Sequence, residues 1–350
     1  MSAESTAAPV LPPLPAHPAD LAWPTLDWPQ GPLPAQLDAA AFEACTRALT
    51  ELPASDGVCQ ALLVVHRGRL VFEHYGAGVD ADTTLQSWSM AKSMLHALTG
   101  MLVADGRLDP DAPAGAREWQ APGDPRARIR IRDLLRMRPG LAFVEDYVDE
   151  GSSDVMEMLW GTGRDDVAHY AAAQPLAHPP GTVFNYSSGT SNILARRVGE
   201  TVGDGATGME RFMRERLFAP LGMRSPQPKF DARGTWKGSS FCFCSARDFA
   251  RFGLLYLRDG IWDDRRLLPP GWVDDARTPT HLTAEEAYGS HWWVDPSDPR
   301  HFYASGYRGQ RILVAPEKDL VAIRIGLSPN ERVPALMRPL HDLTDAFPDL

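Results

Sequence analysis

The 350-residue chain is 44% hydrophobic and 23% charged, a globular composition with enough apolar material for one large domain or two interlocked ones. Its formal net charge of −10 argues against nucleic-acid or anionic-membrane partners, which need a basic face. Four cysteines are too few for a disulfide framework, and the ten scattered histidines show no H-x-H or H-E-x-x-H, so buried free thiols, no metal site and no cofactor are expected.

Along the chain, residues 1–40 form a proline-dense extension containing Trp23-Pro24 and Trp28-Pro29. Such a segment cannot be helical, but its tryptophans and leucines predict that its second half lies along the folded body. The start carries Glu4 and repeated prolines in place of a basic and then apolar leader, and no apolar run approaches a membrane span, so a cytoplasmic location is expected. A helix is predicted from Leu37 to about Leu49, and QALLVVHRGRLVFEHYG predicts a hairpin turning at Arg67-Gly68-Arg69. Apolar residues recur at helical spacing from Met90 to Ala104. IRIRDLLRMRPGL (129–141) predicts a short strand or turn feeding a helix that ends at Pro139-Gly140. Helices are further expected around Asp154–Trp160, Asp165–Ala173, Ser191–Val202 and Ser245–Arg258. Beyond them, HWWV (291–294), HFYAS (301–305), RILVA (311–315) and LVAIRIG (320–326) predict an antiparallel meander, closed by a helix from about Arg332 to Ala346.

Strands at both ends with helices between them predict an α+β fold: an antiparallel sheet flanked by helices, completed by both chain ends, with a mostly helical second domain inserted. The division expected is a catalytic unit over 41–350, with a sheet domain of about 41–88 plus 235–350 and a helical domain of about 89–234. A cleft between the two is the default site.

Three short motifs carry chemistry. Ser89-Met90-Ala91-Lys92 places a serine and a lysine three apart where a helix begins, on one face. The helix N-terminus favours developing negative charge, and a lysine whose pKa is lowered by burial can accept a serine proton. Alone the motif is weak, because a surface Ser and Lys one turn apart look the same. Phe184-Asn185-Tyr186-Ser187-Ser188 follows Pro179-Pro180-Gly181, and an arbitrary tyrosine there is usually a packed aromatic. Ala304-Ser305-Gly306-Tyr307 could let a substrate lie against bare backbone, although a turn glycine is its ordinary reading.

Together, in this order, the motifs resemble those of the serine β-lactamases, penicillin-binding proteins and related esterases and amidases, whose first signature is S-x-x-K and last K-T-G. Tyr186 resembles the start of the Y-x-N or Y-x-S element of the class C branch, which includes family VIII carboxylesterases and 6-aminohexanoate-dimer hydrolases. IRIRDLLRMRPGL, LFAPLGM (217–223) and SARDFARFGLLYLRDG (245–260) extend the likeness from about residue 50 to the end, and SDVMEMLW (153–160) and ASGYRGQRILVAPEKDL (304–320) lean toward the last group.

The resemblance implies Ser89 as nucleophile, with Lys92 and Tyr186 sharing proton transfer in an order left open. It implies an oxyanion hole of the Ser89 and Tyr307 N–H groups, and Ser188 orienting Lys92 or the leaving group. Ser305 and Gly306 would bind substrate, and Tyr147, Trp160, Trp292 and Trp293 are candidate pocket walls. Ala304 and Ser188 depart from the lactamase pattern, since alanine cannot supply the charge that meets a β-lactam carboxylate. The expected partner is therefore a small-molecule carboxylic ester or linear amide, with homodimerisation left open. The alternatives are a β-lactamase or D-amino-acid peptidase, or a non-catalytic penicillin-binding-like sensor.

Overall fold

A computed structural model describes residues 11–147 and 153–350. Its main sheet has eight strands: β1 (Val58–His66), β2 (Arg69–Tyr75), β8 (His281–Leu282), β9 (Ala287–Tyr288), β10 (Trp293–Val294), β11 (Phe302–Gly306), β12 (Gln310–Ala315) and β13 (Leu320–Leu327). Their order is β2-β1-β13-β12-β11-β10-β9-β8, antiparallel throughout. Two small ladders complete the strands: β3 (Leu85–Gln86), β4 (Gln227–Pro228) and β5 (Cys242–Cys244) in one, β6 (Ile261–Trp262) and β7 (Arg265–Arg266) in the other. The helices are α1 (Ala39–Thr50), α2 (Met90–Ala104), α3 (Ile131–Leu135), α4 (Asp154–Leu159), α5 (Val167–Ala172), α6 (Ser188–Val202), α7 (Gly205–Met213), α8 (Ala219–Leu221), α9 (Ala246–Leu257), α10 (Trp272–Arg277) and α11 (Val333–Asp345).

The central strands are apolar at nearly every position because both faces of the sheet are covered. Side chains alternate across a strand, so Ala61, Leu63 and Val65 of β1 join one core with Val321, Ile323 and Ile325 of β13. Leu62 and Val64 point the other way, into a second core with Leu320 and Ala322. α9 and α2 pack on the first face, while α1 and α11 pack on each other and cover the second. Pairing of β1 with β13, from Val58↔Leu327 to His66↔Leu320, closes the sheet with both ends of the chain, as the strand pattern predicted.

The proline-dense extension is held along the body from residue 11 onward. Trp28 is buried, Gln30 bridges Leu70 in parallel, and the Trp262 indole N–H donates to Thr25 Oγ1. Prolines leave carbonyls without the matching N–H, and arginines of the body take them up: Arg251 donates to the Pro24 carbonyl and Arg277 to that of Pro12.

The helix expected to run to Pro139-Gly140 is a correction. α3 stops at Leu135, and Met137 adopts φ +54, which reverses the chain before the proline is reached. α6 starts at Ser188, three residues earlier than predicted, because the Ser187 hydroxyl caps it by accepting from the Thr190 N–H.

Candidate active site

Ser89 occupies the N-cap position of α2 but makes no capping bond with its side chain. The turn's hydrogen bonds are donated by Met90, Ala91 and Lys92, so its hydroxyl and its own N–H lie outside the turn's bonding set. Trp88 delivers it from a left-handed backbone, φ +46. A large non-glycine residue there stores about 1–3 kcal/mol of strain, of the kind that collects at functional sites.

One helical turn on, Lys92 is 2% exposed and its ammonium makes three hydrogen bonds: 2.9 Å to Ser89 Oγ, 3.0 Å to Ser188 Oγ and 3.0 Å to the Ser239 carbonyl. Burial penalises its charge and brings its pKa down to about 8, against the opposing pull of the Glu145 carboxylate. Glu145 binds the start of α6, taking the Ser188 N–H at 2.7 Å and the Ser188 hydroxyl at 2.5 Å. An anion is favoured there by the free N–H groups of the helix end. The chain Glu145–Ser188–Lys92–Ser89 thus runs from a carboxylate to the nucleophile candidate.

Tyr186 lies across this chain, with its ring centroid 4.9 Å from Lys92 Nζ and its phenol interacting with the Ser89 hydroxyl. Burial, then the nearby Glu145 charge, raise its pKa, so the phenol keeps its proton. Its loop is anchored by Asn185, whose N–H donates to the Met137 carbonyl and whose side-chain amide donates to that of Phe143.

The cleft at Ser89 has a volume of about 270 Å³, and its walls include Glu145, Tyr147, Tyr186, Trp293, Ser305 and Tyr307. β11 forms one wall. Its alternation buries Ala304 in the core and turns Ser305 to the cleft. Gly306 is required by close approach: a Cβ there would stand 2.6 Å from the Ser87 carbonyl oxygen. The next loop is fixed from below, since the fully buried Arg324 donates to the Gly309 carbonyl at 2.7 Å and to Ser328 Oγ at 2.8 Å. Tyr147 stacks on Tyr307 at 4.5 Å, and Trp88 meets Tyr307 edge-on at 5.1 Å.

The beta-lactamase family model matches residues 46–326, well over half of the chain. The chain belongs to the beta-lactamase family. Within that family it is 26% identical, over 77% of its own length and 73% of the relative's, to the 6-aminohexanoate-dimer hydrolase of Paenarthrobacter ureafaciens. A Bacillus anthracis structure provisionally described as a 6-aminohexanoate-dimer hydrolase superposes with TM-score 0.74 at 19% identity, covering 96% of this chain and 90% of that one. The fold is shared with EstCE1, a hydrolase with promiscuous acyltransferase activity, at TM-score 0.64 and 14% identity over 88% and 98% of the two chains.

Of the residues singled out in the sequence, the beta-lactamase fold brings Ser89, Lys92 and Ser188 into one hydrogen-bonded group and sets the Tyr186 ring against Lys92, 4.9 Å from Nζ to its centroid. Ser89, Tyr147, Tyr186, Ser305, Gly306 and Tyr307 line the cleft. Ser188 does not: it is wholly buried beneath the cleft as the partner of Lys92. Trp292 is a correction, since it is fully buried among Tyr256, Phe252 and Phe302, and its neighbour Trp293 forms the wall. Trp292 lies in the bend just before β10, where its ring turns into the core, while Trp293 opens the strand at the cleft. Trp160 is 44% exposed, packs edge-on against Trp88 and is not among the residues that line the cleft. Sequence reasoning missed Glu145 and Ser239. Glu145 lies two residues before the Tyr147 it did identify, and Ser239 contributes only a backbone carbonyl, which carries no side-chain signal.

Among the described residues no helix is long and apolar enough to cross a membrane.

Proposed function

We propose that the protein is a serine hydrolase that cleaves small carboxylic esters or linear amides through an acyl-serine intermediate. The observation that carries this reading is the contact of 2.9 Å between Ser89 Oγ and a buried Lys92 amine whose pKa stands near 8. About one Lys92 in ten is then neutral at pH 7, enough to serve as a base. Ser89 Oγ attacks the carbonyl carbon while its proton passes to Lys92 Nζ, and the resulting oxyanion is met by the N–H groups of Ser89 and Tyr307. In this reading Tyr186, protonated by preference, gives its proton to the departing alkoxide or amine and recovers one from the Lys92 ammonium. Water then attacks the acyl-serine under the same base.

The cleft supports this substrate class. Its aromatic walls suit an aliphatic or flat acyl chain, and Ala304, buried in the core, gives no cation at the position where lactamases carry the lysine of K-T-G. The relation to a 6-aminohexanoate-dimer hydrolase supports linear amides beside esters. The test is hydrolysis of p-nitrophenyl butyrate and of the linear 6-aminohexanoate dimer by the wild type and by Ser89→Ala. Turnover that Ser89→Ala abolishes is expected, and equal rates in both proteins would overturn the assignment.

A further inference from the structure

On the far side of the cleft wall, the turn between β10 and β11 faces the middle of α11, and donor atoms of Asp295, His301 and His341 all lie within 4.8 Å of one another. We propose that these three side chains form a site for one divalent transition-metal ion of the zinc class, clamping the β10–β11 turn to the C-terminal helix.

Each of the three residues brings one potential ligand atom to the cluster. His301 is 3% exposed; its Nε2 stands 2.5 Å from Glu317 Oε1, so that nitrogen carries the proton and donates it. Its Nδ1, which carries the lone pair in the neutral ring, is buried with no hydrogen-bond partner among the described residues. An imidazole oriented by a carboxylate on one nitrogen and bare on the other is the usual state of a metal-binding histidine. Asp295 repeats the pattern. Its Oδ1 is held by the Ser297 N–H at 2.8 Å and the Ser297 hydroxyl at 2.6 Å, which leaves Oδ2 for the cluster. That oxygen lies 2.6 Å from His341 Nδ1, a carboxylate–imidazole contact that an entering ion would replace.

Charge and geometry agree with a divalent cation. With neutral imidazoles, Asp295 and Glu317 contribute two negative charges, while Asp298 is already neutralised by a two-pronged contact from Arg300. Donors at about 2.0–2.2 Å from a tetrahedral zinc-like ion stand about 3.3–3.6 Å apart, so donors that lie within 4.8 Å of one another reach that spacing by side-chain adjustment of about 1 Å. Two histidines and one carboxylate with a remaining water position suit such an ion. The ligands come from positions 295, 301 and 341, which is why no spacing motif announces them. The clamp would stiffen the cleft from behind, because β10 carries Trp293 and the first turn of α11 carries Val333 and Pro334, all cleft residues.

The test is titration of the full-length, chelator-treated protein with Zn²⁺ by calorimetry, and with Co²⁺ read by its visible ligand-field absorption. One ion per chain is expected, with a rise in Tm, and binding weaker by about 100-fold or more in His341→Gln and Asp295→Asn. His341 is partly exposed on its helix, and circular dichroism and esterase rate without metal will show that the variants fold. Ser89→Ala should bind the ion like the wild type, so that failure of the hydrolase reading and failure of this one are separable. Absence of stoichiometric binding to the folded wild type, or binding that survives both substitutions, would overturn the proposal.

Discussion

At the scale of single residues, the site is governed by how Lys92 is charged. Burial lowers its pKa to about 8, and the Glu145 carboxylate, communicating through Ser188, works in the opposite direction. If Lys92 is the base, kcat/KM for an ester climbs as pH rises through about 8, where the ammonium gives up its proton. Removing the Glu145 charge takes away a term that raises the lysine pKa. Glu145→Gln should therefore move that rise to lower pH, while the amide still caps α6. A pH–rate profile of the two proteins decides it, and an unmoved limb would detach Glu145 from the reaction. Ser89, Lys92 and Tyr186 were legible because their residue types and order are distinctive. Glu145 was not: an acidic residue in a loop looks solvated until the fold seats it on a helix end 43 residues away.

At the scale of elements, the cleft depends on β11 passing close beneath the turn that carries Ser89. Gly306 is what allows it, since a methyl group there would strike the Ser87 carbonyl oxygen and the Gln310 side chain. A backbone contact cannot be relieved by rotating a side chain, and overpacking of this kind costs about 1–3 kcal/mol. Gly306→Ala is expected to lower Tm by a few degrees and kcat by about tenfold or more, measured by thermal denaturation and ester turnover. An active, equally stable variant would show that the two segments separate freely. The strands themselves were readable from β-rich runs and turns, and the long helices from their 3.6-residue apolar spacing. α3 misled because its pattern continues to Pro139, whereas the positive φ of Met137 breaks the helix first.

For the molecule as a whole, two consequences of burial are measurable. The extension supplies Trp28 to the main core, 6% exposed, with the Arg251 guanidinium 5.6 Å from its ring. Trp28→Ala should cost about 3 kcal/mol of stability, read by urea denaturation. A loss under about 0.5 kcal/mol, the range of ordinary surface changes, would make the extension a loose appendage. Three histidines are held neutral by burial: His66 near 4, His96 near 3 and His291 near 3, all below the ordinary 6.5. Their unfolded forms take up protons first, so stability is full above pH 6.5 and declines as pH falls from there toward 3. His291 bridges Ser191 and the Leu135 carbonyl. Comparison of denaturation midpoints at pH 7 and pH 5 should show the decline, and a flat profile would contradict it.

The sequence by itself determined the family, the closure of one antiparallel sheet by both chain ends and the three residues at the centre of the site. These depend on local periodicity and on residue types in a fixed order, and both are written in the chain. Only the tertiary structure decided that Trp293 and not Trp292 faces the cleft, that Ser188 lies under the lysine, and that Glu145 charges the network. It alone assembled Asp295, His301 and His341. The reason is the same in each case: which way a side chain points, and what distant segment meets it, is set by packing across the fold and leaves no trace in the spacing of neighbouring residues.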